Sequence, residues 1–108
     1  MRRIHLTMLL ILVTAVVRAN AAESAAGTLY KAKCVACHAA DGSGNTPAGK
    51  KLEVKDFRTP AVMKESDEDL LGIIVKGQKK MPSYKGKLSA DQLKSLVSYV
   101  RELGKQKP

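Results

Sequence analysis

The sequence predicts an all-α fold of three main helices plus a short one, joined by long loops. Three observations point there. Apolar residues recur at helical spacing in three separate stretches, each stretch opens on a capping residue, and nothing alternates with the two-residue period of a strand.

The first helix is expected from about Ser24, a good N-cap, to about Cys37, with Leu29, Tyr30 and Cys34 toward one face. The second opens at Ser66-Asp67-Glu68-Asp69, with acidic residues in its first turn where the helix dipole favours them. It continues through Leu70, Leu71, Ile73 and Ile74 to Gly77, a left-handed closing residue. Ser89-Ala90-Asp91-Gln92 is a capping box, and Leu88 and Leu93 stand at hydrophobic-staple positions. From there Leu93, Leu96, Val97, Val100 and Leu103 define the third helix, with Gly104 as its stop. Pro60 starts the short helix, where Val62 and Met63 are expected to pack inward. Ala39 to Thr59, with Gly42, Gly44, Pro47 and Gly49, is expected as one long loop. Loops of that length are unusual inside a small domain unless they wrap a ligand.

Residues 1–21 have the pattern of a cleaved secretory signal peptide. Arg2-Arg3 is a positive start, Leu6 to Val17 an apolar run, and Ala19-Asn20-Ala21 a small-x-small cleavage site. The alternative is retention as an anchor. Twelve residues at a 1.5 Å rise cover about 18 Å of a hydrocarbon core roughly 30 Å thick, and Arg18 closes the run. With no Cys at the cleavage point, lipid attachment is not expected. Export places the mature protein in a bacterial periplasm.

What remains, residues 22–108, is a single domain with sixteen Lys and Arg against ten Asp and Glu, a formal +6. It has no Trp, one Phe and three Tyr, and ten of its apolar residues are Ala. A chain this small and this poor in large side chains needs something besides itself to fill its interior.

Cys34-Val35-Ala36-Cys37-His38 names that filler. Two thiols three residues apart lie on one side of a helix or turn, where each can add to one of the two vinyl groups along a haem edge. The imidazole that follows is carried beneath the ring, within reach of the iron. Three other readings compete. A thioredoxin-like dithiol would need a βαβ pattern, a zinc site would need a second ligand pair, and a plain disulfide would leave His38 without a role. For the iron's other face the mature chain offers Met63 and Met81 and no second His. Met81, in the loop Gly77-Gln78-Lys79-Lys80-Met81-Pro82, is favoured over Met63, over a Lys ligand and over an open site. Thioether sulfur favours Fe(II), which raises the potential and suits electron transfer rather than catalysis.

These motifs, in this order, resemble class I cytochrome c of the small soluble bacterial kind across nearly all of residues 22–108. Tyr30 stands four residues before the first Cys, Cys34 to His38 is the attachment motif, Gly77 to Pro82 is the G-x-x-x-M-P, and Tyr99 is the terminal-helix aromatic. The resemblance implies a cytochrome c fold wrapped around one covalent haem c, with Tyr30 against Leu96 and Tyr99 where the first and last helices cross. It also implies a backbone acceptor for the His38 Nδ1–H between Pro47 and Leu52. Ala39 follows the motif where Gly is common.

Lys33, Lys50, Lys51, Lys79, Lys80, Lys85 and Lys87 flank the segments expected around the haem edge and would steer docking to an acidic face on a larger redox protein. The competing view is a merely solvated lysine-rich surface. Nucleic acid binding is not expected, because acidic residues interrupt the basic ones. The expected function is therefore that of an exported, monomeric, single-haem one-electron carrier with no catalytic residues and no membrane span, not an enzyme. The alternatives are a gas-binding or sensing haem module with an open sixth site, and a haem-free thiol redox protein using Cys34 and Cys37; a visible spectrum with and without CO separates the three.

Overall fold

The computed structural model describes residues 20–106. Most of the expected signal peptide lies outside the described residues, apart from Asn20 and Ala21, which are helical. The chain forms α1 (Asn20–Lys33), α2 (Val35–His38), α3 (Pro47–Lys51), α4 (Pro60–Met63), α5 (Asp67–Lys76) and α6 (Ala90–Gly104). Among the described residues there is no strand, only an isolated bridge between Gln78 and Met81. No helix among them is long and apolar enough to cross a membrane.

α1 begins four residues before the expected cap, so Ser24 is helical. The surrounding alanines, the best helix formers, carry the helix upstream. At its other end α1 stops at Lys33. Cys34 takes φ −119°, and the chain restarts as α2, so the attachment motif is a break and one new turn rather than the tail of one helix. α5 and α6 match their caps: Ser66 accepts from the Asp69 N–H, and Ser89 and Gln92 exchange both bonds of the capping box. Gly77 has φ +75° but ψ 170°, outside the left-handed helical region and in one that is essentially reserved for glycine.

α6 packs across α1 and α5 and touches α4. At the α1–α6 crossing Tyr30 and Leu96 are almost wholly enclosed, with Leu103 beside them. The Tyr30 and Tyr99 rings meet at 5.0 Å, tilted by 43°. Ala26 is buried there, and Gly27 faces Tyr99 closely enough that a Cβ would just touch the ring. A second cluster joins Val62, Leu70 and Val97, and Phe57 and Ile74 bridge the two. Arg101 fastens α6 to the α4–α5 connection: its guanidinium donates to the Met63 and Glu65 carbonyls and pairs with Asp67 at 2.7 Å.

One expectation changes: Met63 does not pack into the core but is 39% exposed. Gly104 ends α6 as expected. It is the helix's last residue, and a Cβ there would stand 2.7 Å from Met63 Sδ and 2.9 Å from the Phe57 carbonyl oxygen. It also serves close approach of backbones.

Gly104→Ala is therefore expected to lower stability by about 1–3 kcal/mol, the usual cost of overpacking. Gly72→Ala, within α5 where a Cβ meets nothing, should raise it by about 0.5–1 kcal/mol. Thermal melts of the two holoproteins should move in opposite directions.

Candidate functional site

Cys34, Cys37 and His38 share one tight turn. The Cys37 and His38 N–H groups both donate to the Cys34 carbonyl, at 3.3 and 2.9 Å. Both cysteines are free thiols and half-buried. Burial, with Cys37 adding to it, pushes the Cys34 thiol up to about 11. A thiol–disulfide catalyst needs the opposite shift, because the thiolate is its nucleophile. Among the described residues no three His, Cys, Asp or Glu come together as a metal-binding group.

Burial holds the His38 imidazole below its ordinary value and therefore neutral, as an iron ligand must be. Its Nδ1 is buried and has no hydrogen-bond partner among the described residues. The acceptor expected between Pro47 and Leu52 is thus not found. That stretch is α3, and its Ala48, Gly49 and Lys50 carbonyls already receive the Leu52, Val54 and Glu53 N–H groups. The ring is instead stacked on Phe57, at 4.8 Å between centroids and 28° between planes.

α3 also shows that the stretch from Ala39 to Thr59 is not one loop. Thr46 caps the helix by accepting from the Gly49 N–H at 2.8 Å, and its hydroxyl donates to the Cys37 carbonyl at 3.1 Å. Gly49 lies so close under the Cys37 and Gly44 carbonyls that any Cβ would collide with both. Thr46-Pro47, a cap followed by Pro at the first helical position, was the available sequence signal for this turn.

Ala39 closes α2 at φ 65°, ψ 163°, a region nearly reserved for glycine. Two bonds hold it there: its N–H donates to the Val35 carbonyl at 2.9 Å, and its carbonyl accepts from the Tyr30 hydroxyl at 2.7 Å.

Met81 sits, half-buried, in a hairpin-like turn after α5. Gln78 and Met81 exchange backbone hydrogen bonds, and Lys79 has φ +53° at the tip. Ser83 donates to the Val75 carbonyl at 2.6 Å, and the Tyr84 N–H donates to the Ile74 carbonyl. The Tyr84 hydroxyl then reaches the Lys33 carbonyl at 3.2 Å, bringing the Met81 loop beside the start of the cysteine motif. Burial and the neighbouring Cys34 and Cys37 push that hydroxyl up. All seven lysines expected to flank the site are exposed.

A covalent haem fits these residues: two free thiols and a neutral imidazole with an unpaired buried nitrogen share one turn, and a thioether loop is tied alongside.

The chain resembles known proteins throughout this region. A family model described as cytochrome C oxidase, cbb3-type, subunit III matches residues 21–100. Cytochrome c6 of Leptolyngbya boryana is 36% identical over 77 residues, which cover 71% of this chain and 87% of that protein. Cytochrome c6 of Nostoc sp. (strain PCC 7120) is 33% identical over 88 residues, covering 81% and 75%. Among solved structures, the KustC0563 c-type cytochrome superposes with a TM-score of 0.69 at 33% identity, covering 74% of this chain and 98% of its own.

Ala39→Gly should remove backbone strain without touching a thiol or the imidazole, and is expected to stabilise the holoprotein by about 1 kcal/mol, read as a higher Tm with an unchanged visible spectrum.

Proposed function

The chain belongs to the class I cytochrome c family and carries electrons through covalently attached haem, and on that premise we propose that Cys34 and Cys37 form the two thioethers while His38 and Met81 bind the iron from opposite faces. The observation that carries this reading is the Cys34–His38 turn itself, where both thiols are free and the half-buried imidazole beside them has its Nδ1 enclosed. When bound, the haem supplies a one-electron iron couple.

The protein's own residues do the rest. Cys34 and Cys37 fix the group so that it does not leave during turnover. His38 gives a basic nitrogen donor and Met81 a soft sulfur donor, a pair that favours the reduced iron and leaves no position for an outside ligand. Ser83 and Tyr84 hold Met81 in its loop through their bonds to α5 and to the end of α1. A fully ligated site closed in this way suits outer-sphere electron exchange and gives a substrate nowhere to bind. One C-x-x-C-H in the chain means one haem and one electron per encounter.

The same reading has residues 1–21 removed on export and the mature chain acting as a periplasmic monomer. The exposed Lys33, Lys50, Lys51, Lys79, Lys80, Lys85 and Lys87 then guide it to acidic faces on a larger donor and acceptor, in encounters that are fast and salt-sensitive.

Met81→Ala should lower the reduction potential and let the reduced protein bind CO, seen as a shifted haem band, whereas Met63→Leu should change neither. CO binding by the unmodified native protein, or an unchanged potential in Met81→Ala, contradicts the assignment. Lys79→Glu with Lys80→Glu should slow electron exchange with an acidic redox protein at low salt, and the difference from wild type should shrink as ionic strength rises.

A further inference from the structure

We infer that Phe57, the chain's single phenylalanine, is a positioning residue that sets the plane of the His38 imidazole and, through it, the electronic orientation of the iron site. This rests on reading His38 as the iron ligand.

The rotation of a histidine ring about its Cβ–Cγ bond is soft, so something outside the residue must choose its plane. A hydrogen bond from Nδ1 is the usual device in a metal-bound histidine. Here that nitrogen is buried without a partner among the described residues, and the Ala48, Gly49 and Lys50 carbonyls of α3 accept from other backbone N–H groups. The contact that can choose the plane is the face of Phe57, stacked 4.8 Å away at 28°.

Phe57 can do this because it is itself held on every side. Its N–H donates to the Gly42 carbonyl at 2.9 Å. Gly42, at φ +77°, comes so close that a Cβ would stand 2.7 Å from the Phe57 ring, and Gly104 of α6 closes on its carbonyl from the other side. Flanking it, Arg58 grips Asp56 with two side-chain bonds of 2.9 Å, and the Thr59 hydroxyl caps the Asp56 carbonyl at 2.8 Å. The ring also belongs to both core clusters, so its orientation is tied to the packing of α6 against α1 and α5. A rigid phenyl face therefore limits how far the imidazole can turn. An imidazole held in one plane in both oxidation states needs little rearrangement when an electron arrives or leaves.

The test uses the ferric holoprotein. The imidazole plane and the Met81 sulfur together would set how the unpaired spin lies over the porphyrin, so with Met81 unchanged a new order or spread of the four haem-methyl proton shifts reports a turned imidazole. Phe57→Tyr keeps a flat ring and should keep the wild-type order. Phe57→Leu removes the face and should reorder or compress the shifts, with a changed reduction potential. Gly104→Ala keeps every aromatic ring but presses on the Phe57 carbonyl, and should displace the same shifts. If Phe57→Leu and Gly104→Ala lower Tm while the methyl pattern and potential stay as in wild type, Phe57 is only a core residue and the inference fails. The reading of His38 fails separately: the unsubstituted protein would then lack a low-spin, histidine-ligated spectrum.

Discussion

The structure depends on Tyr30. Its ring fills the crossing of α1 and α6, almost wholly enclosed against Leu96 and tilted onto Tyr99. Its hydroxyl leaves that apolar contact to bond the Ala39 carbonyl, the residue immediately after His38. One side chain thus joins the largest helix contact to the far end of the attachment motif. A buried hydroxyl without that acceptor would carry a desolvation cost of roughly 1–3 kcal/mol, so crossing and motif favour each other's geometry. The strained Ala39 backbone is tolerated for the same reason: bonds from both sides over-determine it.

Around this axis the motif is held by backbone rather than by bulk. The Cys37 carbonyl receives the Thr46 hydroxyl, and Gly49 closes beneath it where no side chain fits. Phe57 then faces His38 from between Gly42 and Gly104. Glycines recur here because the chain must approach itself closely around the motif. The few large side chains in the sequence are consequently spent at junctions: Tyr30 and Tyr99 at the helix crossing, Phe57 between clusters, Tyr84 across the loop carrying Met81.

Basic and acidic residues are distributed with a similar logic. The acidic residues Asp67, Glu68 and Asp69 stand in the first turn of α5, where the dipole favours them, and Asp67 further serves to pair Arg101. The lysines near the motif and the Met81 loop have no such structural duty and remain in solvent.

Much of this was legible in the sequence because its causes are local. The caps at Ser66 and Ser89 read correctly since a cap and its partner lie three residues apart, and Cys34 to His38 carries its chemistry within five residues. Boundaries were harder: α1 overran Ser24 because alanine gives a helix no reason to stop, and α3 was hidden by the glycines around Thr46-Pro47. By itself, then, the sequence determined α5, α6, the start of α4, the body of α1 and the cysteine motif with its candidate ligand side chains. Only the tertiary structure decided that Gly104 also serves close contact, that Tyr84 ties the Met81 loop to Lys33 across 51 residues, and that Phe57 faces His38. Those pairings come from how helices cross, and no spacing along the chain encodes them.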